Sequence, residues 1–424
     1  MGLISRKERP MESTIYKRAV IDEIIRFLPT GDIIVIQGAR QVGKTSILMF
    51  LQDHLHADGE QTLTIDLEDS RFVSNLDKGV DEFIVYITEQ GFDLTGLRES
   101  GRKLFVMIDE IQYLANPSSF LKLLADHHRY LKVIVSGSSS FEMKSKFKDS
   151  LAGRTVSFEI HPLSFQEFLL FKGVPFAPAG RFTEKKTIEL QALYTEFALY
   201  GGYPKIVLTQ EAGIKEKYLQ QIIDTYIRKD IRDLAEIKDV NKFNRLLEVL
   251  ASQSGNLLNI AELSNTCGLA RDTIERYLLI LEQTYILRRV RPFSRNIRSE
   301  LFKTPKVFFY DTGLMQMLWL KRLQKELLGS VFETSVFTEL VKHYGPDQVH
   351  YWRTQDKKEI DFVVKLPEAY LPVETKLHFP RTIPGVLHTF DAAYHSDNSP
   401  VPGYRLVGLE GQPTEAGMIY PWQL

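Results

Sequence analysis

A glycine-rich segment near the amino terminus has the residue types that bind phosphate. The chain reads Gly38-x-x-x-x-Gly43-Lys44-Thr45 directly after the apolar run 33–36 and before residues that favour a helix. Glycines let backbone N–H groups close around phosphate oxygens, a lysine reaches the β and γ phosphates, and a threonine hydroxyl ligates magnesium. We therefore predict an ATP and Mg²⁺ site built from Gly38, Ala39, Arg40, Gln41, Val42, Gly43, Lys44, Thr45 and Ser46.

An acidic pair follows the apolar run 104–108. Asp109 and Glu110 stand at the carboxyl end of this predicted strand, the edge at which ligands bind in open α/β sheets. We expect Asp109 to hold magnesium directly or through water, and Glu110 to orient and deprotonate the attacking water. Because an acidic pair after a strand is as often a helix N-cap, this assignment depends on the phosphate loop upstream.

A third group of reactive side chains lies in the predicted hairpin 357–376. Strand side chains alternate, so Glu374 and Lys376 share one face, and Asp361 on the partner strand can lie across from them. Two carboxylates suit Mg²⁺ or Mn²⁺, and a nearby lysine can position or deprotonate a water for attack on a phosphodiester.

The tripeptide Glu-x-Lys alone carries little information, because it recurs at three other places in the chain. Its context adds weight: Asp361 precedes it, and the predicted helix 329–340 offers Glu333 or Glu339 as a further ligand. An ordinary solvated hairpin and a site for a second Mg²⁺ or Mn²⁺ at Asp361 and Glu374 both remain open.

Strands and helices alternate around the first two groups. Strand-like runs occupy residues 33–37, 62–67, 103–109, 131–137 and 154–160. Short, nearly continuous apolar strands separated by helices indicate a parallel sheet covered on both faces. A mostly helical stretch follows, and strands alternate with helices again from about Lys306.

The composition is that of a globular protein. A net charge of −1 over 424 residues argues against a uniformly basic surface for nucleic acid. The single cysteine, Cys267, excludes an intramolecular disulfide and fits a reducing compartment. The amino terminus lacks the apolar stretch of a signal peptide, and no apolar run approaches the roughly 20 residues that span a bilayer. We expect a cytoplasmic protein with no membrane partner and no zinc.

Residues 257–290 have the pattern of a helix-turn-helix, with Gly268 in the turn and residues 270–281 as the second helix. Arg271 and Arg276 lie opposite the apolar face of that helix. The basic residues that follow outnumber a single acid; they are Arg288, Arg289, Arg291, Arg295, Arg298, Lys303 and Lys306. This segment could neutralise nucleic-acid phosphates, or it could dock a protein or another part of the chain, and the sequence leaves both open.

Five motifs follow one another along the chain: GARQVGKTS, IDEIQYL, VSGSSS, LAGRTVSFEIHPLSFQEF and YGGYP. Together they resemble prokaryotic AAA-like ATPases of the STAND-related type, which carry a carboxyl-terminal domain of unknown function 4143. The resemblance implies that Ser136 or Ser138 contacts the γ phosphate or the attacking water. The resemblance also implies that Arg154 is a catalytic arginine that stabilises charge on the phosphates. If it acts on a neighbouring copy, the chain must assemble. The alternative is that Arg154 forms an ion pair at the surface.

The order of helix glutamate, strand aspartate and Glu-x-Lys resembles the PD-(D/E)XK nuclease fold, to which that carboxyl-terminal domain is thought to be related. The resemblances imply an α/β chain with a P-loop NTPase parallel sheet and a helical lid, then a winged helix and a smaller α/β nuclease-like domain. The boundaries that we expect are 1–170, 171–214, 215–305 and 306–424.

The implied function is that of a switch that binds and hydrolyses ATP. Its ATP state would control the winged-helix and nuclease-like output, which would act on nucleic acid. The alternative is a regulatory or scaffolding ATPase whose carboxyl-terminal domain binds a partner or DNA without cleaving. Both functions are compatible with a homo-oligomer.

Overall fold

The computed structural model describes residues 15–138, 151–177, 182–231, 237–294, 304–354, 356–394 and 403–424. These residues form two compact units. The first holds residues 15–37, 43–138 and 151–160, and the second holds the described residues from His161 onward together with Gly38–Val42. In the described ranges, no helix is both long enough and apolar enough to cross a membrane.

A five-stranded parallel sheet forms the centre of the first unit. In the order β2-β3-β4-β1-β5, its strands are β1 (Ile33–Gly38), β2 (Gln61–Asp66), β3 (Leu104–Asp109), β4 (Leu131–Gly137) and β5 (Thr155–Ile160). Every residue of β1, β3 and β4 is buried, whereas the edge strands β2 and β5 expose several positions. The continuous apolar runs of the central strands therefore reflect coverage on both faces, as predicted.

Helices surround this sheet. They are α1 (Val20–Phe27), α2 (Lys44–Ala57), α3 (Ser70–Leu76), α4 (Val80–Glu89), α5 (Leu94–Ser100) and α6 (Pro117–His127). Asp69, Asp93 and Asn116 begin α3, α5 and α6 by accepting a hydrogen bond from a backbone N–H in the first turn. Phe83 of α4 and Leu121 of α6 are fully buried in the core that these helices form with the sheet.

The second unit opens with helices. They are α7 (Phe165–Phe171), α8 (Glu184–Tyr200), α9 (Pro204–Leu208), α10 (Ala212–Ile222), which continues as a π-helical stretch (Ile223–Ile231), and α11 (Val240–Ser252). The Gly-Gly pair after α8 has a steric role. The Gly202 carbonyl accepts the Leu163 N–H at 2.7 Å, and a Cβ on Gly202 would lie 2.5 Å from the Leu163 oxygen. Only glycine fits this approach.

The predicted helix-turn-helix consists of α12 (Ile260–Cys267) and α13 (Arg271–Gln283), joined by a turn in which Gly268 has φ +64°. An antiparallel pair of strands, β6 (Leu287–Val290) and β7 (Lys306–Phe309), follows. Among the basic residues predicted for this region, Arg295, Arg298 and Lys303 lie outside the described residues.

Helices α14 (Thr312–Leu320) and α15 (Gly329–Tyr344) lead into a second five-stranded sheet of order β12-β11-β10-β9-β8. Its elements are β8 (Val349–Arg353), β9 (Glu359–Leu366), β10 (Ala369–His378), α16 (Gly385–Tyr394), β11 (Arg405–Glu410) and β12 (Met418–Ile419), followed by a 3₁₀ turn (Pro421–Gln423). Strands β8, β9 and β10 are antiparallel, whereas β11 and β12 run parallel to β10. Phe337 of α15 packs against Phe362 of β9, which brings this helix onto the sheet beside Asp361.

Candidate functional site

The phosphate loop, residues 38–46, joins β1 to α2. Gly43 is the N-cap of α2 and has φ +99°, and Gln41 also has a positive φ of +62°. The N-cap Gly43 makes no side-chain hydrogen bond to the start of α2, and the N-terminus of a helix is an end that can bind an anion. Lys44, the first residue of the helix, is buried, whereas Thr45 and Ser46 are exposed.

Asp109 brings together polar groups from three neighbouring elements of the first unit. Its Oδ2 accepts a hydrogen bond from Thr45 Oγ1 at 2.6 Å, and its Oδ1 accepts one from Ser136 Oγ. The Glu110 N–H lies 3.1 Å from the same Oδ1. Because β3 and β4 are parallel neighbours, Asp109 and Ser136 meet at one edge of the sheet. A hydroxyl and a carboxylate are hard oxygen ligands, so this set fits Mg²⁺.

Glu110 adopts a left-handed backbone conformation, with φ +55°, which is uncommon for a residue with a side chain. Its carboxylate accepts a hydrogen bond from Gln112 Nε2, and the same amide group donates to Ser138 Oγ at 2.9 Å. Gln112 is buried. Sequence reasoning missed this residue, although a polar residue within the otherwise apolar run that follows Glu110 was the available signal.

The second candidate site lies on the carboxyl-terminal sheet. The register pairs Val373 with Phe362, so Glu374 of β10 lies across from Asp361 of β9. Lys376 Nζ contacts Glu374 Oε1 at 2.6 Å. Asp361 Oδ2 accepts hydrogen bonds from the N–H and the hydroxyl of Thr375, at 2.8 and 2.7 Å. The structure thus brings together the two carboxylates and the lysine that the hairpin predicted.

Helix α15 adds Glu333 to this group. Burial and the Asp361 carboxylate raise the pKa of Glu333 to about 8, and the same two causes raise the pKa of Glu374 to about 7. Glu333 Oε1 and Glu374 Oε2 are buried without a hydrogen-bond partner. The other predicted helix ligand, Glu339, instead accepts the Phe165 N–H at 2.9 Å and pairs with Lys342.

We call Glu333, Glu359, Asp361 and Glu374 the carboxylate cluster. Among the described residues, no three histidine, cysteine or acidic side chains are grouped so as to hold a metal ion. A metal at Asp361 and Glu374 would therefore draw a third ligand closer, and Glu333, whose Oε1 has only a long contact of 3.5 Å with Lys306, is the candidate. Carboxylate oxygens that can still coordinate a cation suit Mg²⁺ or Mn²⁺.

Family comparisons cover most of the chain in three segments. Residues 30–169 match the model of an AAA domain, residues 191–326 match the domain of unknown function DUF8612, and residues 328–421 match the domain of unknown function DUF4143. The chain carries an AAA-like ATPase domain and a DUF4143 domain. These two parts of the predicted resemblance are confirmed, whereas its STAND-related and nuclease-like parts stay predictions.

Two relatives match this chain over much of their length. An uncharacterized protein of Haemophilus influenzae is 28% identical over 378 residues, which are 87% of this chain and 88% of that protein. An uncharacterized protein of Methanocaldococcus jannaschii is 26% identical over 348 residues, 80% of this chain and 73% of its own.

Two solved structures resemble this chain with lower sequence identity. The Walker-type ATPase of Pyrococcus abyssi shares 15% identity with a TM-score of 0.46, covering 72% of this chain and 95% of that one. The replication initiator DnaA bound to AMPPCP and single-stranded DNA shares 14% identity with a TM-score of 0.29, covering 62% and 86%. Both scores are below 0.5, and neither likeness decides a function.

Arg154 of the AAA-like domain lies away from the phosphate loop of its own chain. Its carbonyl accepts the Ile33 N–H at 2.8 Å, at the start of β1, whereas the phosphate loop follows the end of that strand. Six strand residues span about 17 Å. The Arg154 guanidinium pairs with Asp126 at 2.7 Å. This position does not support a role toward phosphates bound in the same chain, and the catalytic role of Arg154 stays a prediction.

The predicted basic segment is less positive than its sequence indicates. Arg288 pairs with Asp347, and Arg289 pairs with Glu275 and Glu282. These acids come from other elements, so a count along the sequence did not include them. Lys306 is buried and pairs with Glu359 of the carboxylate cluster at 2.6 Å, so it is not a contact for nucleic acid.

Sequence reasoning counted Lys306 among the basic residues of this segment, and the structure buries it beside the carboxylate cluster. Burial lowers its pKa, but the carboxylates of Glu333 and Glu359 outweigh burial and raise the pKa above the ordinary lysine value. Arg353 holds the other oxygen of Glu359 at 3.1 Å. Lys306 thus enters the cluster as a permanent cation from a strand that precedes the DUF4143 match.

Proposed function

We propose that the chain is a switch that binds ATP and Mg²⁺, hydrolyses the nucleotide, and passes its nucleotide state to the carboxyl-terminal half. The observation that carries this proposal is the hydrogen-bonded set Thr45, Asp109 and Ser136, which joins the helix of the phosphate loop to two sheet strands. It is the polar arrangement that a magnesium nucleotide requires at the carboxyl edge of a parallel sheet.

Each residue has a role in this proposal. The loop N–H groups and Lys44 bind phosphate oxygens, and Thr45 and Asp109 hold Mg²⁺, which supplies positive charge against the phosphates when it is bound. Glu110 accepts the proton of the attacking water, and its Gln112 contact orients it. Ser136 or Ser138 contacts the γ phosphate.

Nucleotide binding tests the central claim. Lys44→Ala should weaken binding of a fluorescent ATP analogue at least tenfold, because the lysine ammonium no longer meets the phosphates. Lys122→Ala on the exposed face of α6 is the matched control and should bind as the wild type does. A wild-type protein with no affinity for ATP in the presence of Mg²⁺ would refute the proposal.

A second function is favoured by the carboxylate cluster. The buried, unpartnered Oε2 of Glu374, with Asp361 and Lys376 beside it, supports metal-dependent cleavage of a phosphodiester. The element order of helix, three antiparallel strands, helix and parallel strand supports a PD-(D/E)XK-like fold for this domain. Asp361 and Glu374 would hold the metal, and Lys376 would position water.

Cleavage assays separate this function from binding alone. Wild-type protein with ATP and Mn²⁺ should nick single-stranded DNA, duplex DNA or RNA, and Asp361→Ala should abolish nicking while ATP turnover continues. Asp356→Ala, in the loop before β9, is the control. If no substrate is cut but one is bound, the DUF4143 domain binds a partner or nucleic acid without cleaving.

The switch itself is a coupling between sites. If nucleotide state controls the output, a non-hydrolysable ATP analogue must change the affinity of the carboxyl-terminal half for its ligand, and that ligand must change ATP affinity by the same factor. If the affinity of the carboxyl-terminal half for its ligand is the same with and without the analogue, the protein is an ATPase and not a switch. Arg154 is proposed to act between copies, which makes a homo-oligomer part of this function.

A further inference from the structure

The sequence places Lys306 in neither proposed active site, and the structure buries this lysine. It opens β7, and only 4% of its side chain is exposed. Its ammonium lies 2.6 Å from Glu359 and 3.5 Å from Glu333, and 5.6 Å from the centre of the Tyr351 ring. An ammonium in this position reaches no external partner, so its charge acts on the carboxylate cluster.

Cations already contact three members of the cluster: Lys306 contacts Glu333 and Glu359, Arg353 contacts Glu359, and Lys376 contacts Glu374. Glu374 Oε2 is nevertheless buried without a hydrogen-bond partner, and the side chain of Glu374 is only 8% exposed. Buried acceptors in this state favour a further positive charge.

Lys306 and a divalent ion would use the same carboxylate. Glu333 is the third ligand available to an ion at Asp361 and Glu374, and it is also the looser of the two partners of Lys306, at 3.5 Å against 2.6 Å for Glu359. Glu359 holds Lys306 in place whether or not Glu333 turns toward the metal. Two cations that share one carboxylate repel each other across a buried, weakly screened distance.

We propose that Lys306 is a resident cation that competes with Mg²⁺ or Mn²⁺ for the carboxylate cluster and thereby sets the metal affinity of the DUF4143 domain. This inference rests on the proposed metal site at Asp361 and Glu374. In the metal-free protein Lys306 shares Glu333, and metal binding takes Glu333 from it.

The backbone of Lys306 links this competition to the preceding segment. Lys306 pairs with Val290 of β6 and bridges to Leu257, and Gly255 donates to the carbonyl of the next residue, Val307, at 2.7 Å. These backbone contacts fix Lys306 beside the carboxylate cluster and connect it to the segment that contains α12 and α13.

Metal titration tests the competition. Mn²⁺ binding to the full chain, without nucleotide, is measured by the electron paramagnetic resonance signal of free Mn²⁺. Lys306→Met should lower the Kd for Mn²⁺ at least tenfold, because a positive charge leaves the cluster. Lys306→Arg keeps the charge and should stay near wild type. Lys342→Met, which removes another largely buried lysine paired with a glutamate, is the control and should not change Mn²⁺ binding.

A second pair of variants guards against misfolding. Lys306→Met leaves Glu359 with Arg353 alone, so Glu359→Gln and Lys306→Met/Glu359→Gln are compared with each other. The double variant should bind Mn²⁺ more tightly than Glu359→Gln. Far-UV and near-UV circular dichroism confirm that each variant is folded.

The measurements distinguish failure of the competition by Lys306 from failure of the metal site itself. If wild-type protein binds Mn²⁺, Asp361→Asn abolishes binding, and Lys306→Met binds equally or more weakly, the competition is refuted and the metal site stands. If Asp361→Asn leaves Mn²⁺ binding unchanged, or no variant binds Mn²⁺, the metal site and the competition fall together.

Discussion

Asp109 and Glu374 are both buried carboxylates in candidate metal sites, but their surroundings satisfy them to different degrees. Asp109 accepts hydrogen bonds from Thr45, Ser136 and the Glu110 N–H. Glu374 has Lys376 on one oxygen and no partner on the other, and Asp361 lies close enough to raise its pKa together with burial. Neutral donors stabilise the first acid before any ligand arrives, whereas the second has a buried oxygen with no donor.

The difference teaches how each site can respond to its ligand. At the phosphate loop, hydroxyl groups already point at Asp109, so a metal replaces existing contacts with little movement. In the carboxylate cluster, a cation would supply a partner for the buried oxygen of Glu374, so metal occupancy should raise the stability of the protein.

Glu110→Gln should have the largest effect. The amide cannot accept the proton of water, so ATP turnover should fall about 10²–10⁴-fold, while ATP affinity stays within about twofold because the phosphate contacts are unchanged. Steady-state phosphate release and equilibrium ATP binding measure the two quantities. Glu99→Gln, on the exposed side of α5, is the control. Unchanged turnover in Glu110→Gln would assign proton transfer to another group.

Neutralising the two buried acids should have opposite effects on stability. Asp109→Asn replaces an accepting oxygen with a donor and should lower the free energy of unfolding by about 1 kcal/mol. Glu374→Gln removes a poorly solvated charge and should raise it by about 1–3 kcal/mol at pH 8, offset slightly by the lost Lys376 contact. Urea denaturation at fixed pH measures both. Two effects of the same sign would break the contrast.

The sign for Glu374 can be checked by pH. Its pKa is raised from 4.5 unfolded to about 7 folded, so the native state binds the proton more tightly. Stability from this group is present below pH 4.5 and is lost as pH rises through 7. The advantage of Glu374→Gln should therefore grow between pH 4.5 and 7 and level off above 7. Glu368→Gln, in the exposed turn before β10, should show no such trend.

Gln112→Ala should have a smaller effect on catalysis. Gln112 Nε2 binds both Glu110 and Ser138, so its loss should leave the Glu110 carboxylate less well oriented. We expect turnover to fall roughly tenfold with ATP affinity unchanged. Gln90→Ala, on an exposed residue after α4, is the control. A fall in ATP affinity rather than turnover would show that Gln112 supports the loop and not the base.

In both candidate sites, the sequence predicted the residues that lie close together along the chain. The glycines and Lys44 specify the phosphate loop because the strand, loop and helix are adjacent in sequence. Asp361, Glu374 and Lys376 were predicted as neighbours because a hairpin fixes its own register. What the pattern could not supply were contacts from distant elements, such as Asp347 for Arg288 or Glu359 for Lys306.

The YGGYP motif shows the same limit. Its first glycine, Gly201, follows the end of α8. Its second glycine, Gly202, has an N–H that binds the buried Asp311 at 2.7 Å, 109 positions along the chain, and a Cα that lies against the Leu163 backbone. Contacts with residues so distant in sequence leave no trace in local periodicity.

The smallest expected effect on stability concerns Arg154, and it separates structure from catalysis. The Arg154–Asp126 pair is about one third exposed on each side, so Arg154→Ala and Asp126→Ala should each change the free energy of unfolding by less than about 1 kcal/mol. If Arg154 acts between copies, only Arg154→Ala should reduce ATP turnover, since Asp126 touches no nucleotide in either arrangement.

Mixing variants tests the role of Arg154 directly. Arg154→Ala and Glu110→Gln are each impaired, but in a mixed assembly some interfaces pair an intact Glu110 with an intact Arg154 from its neighbour. Turnover of the mixture should therefore exceed the sum of the two separate variants. A mixture that is merely additive, or equal losses in Arg154→Ala and Asp126→Ala, would leave Arg154 as a surface ion pair that joins α6 to β5 within one chain.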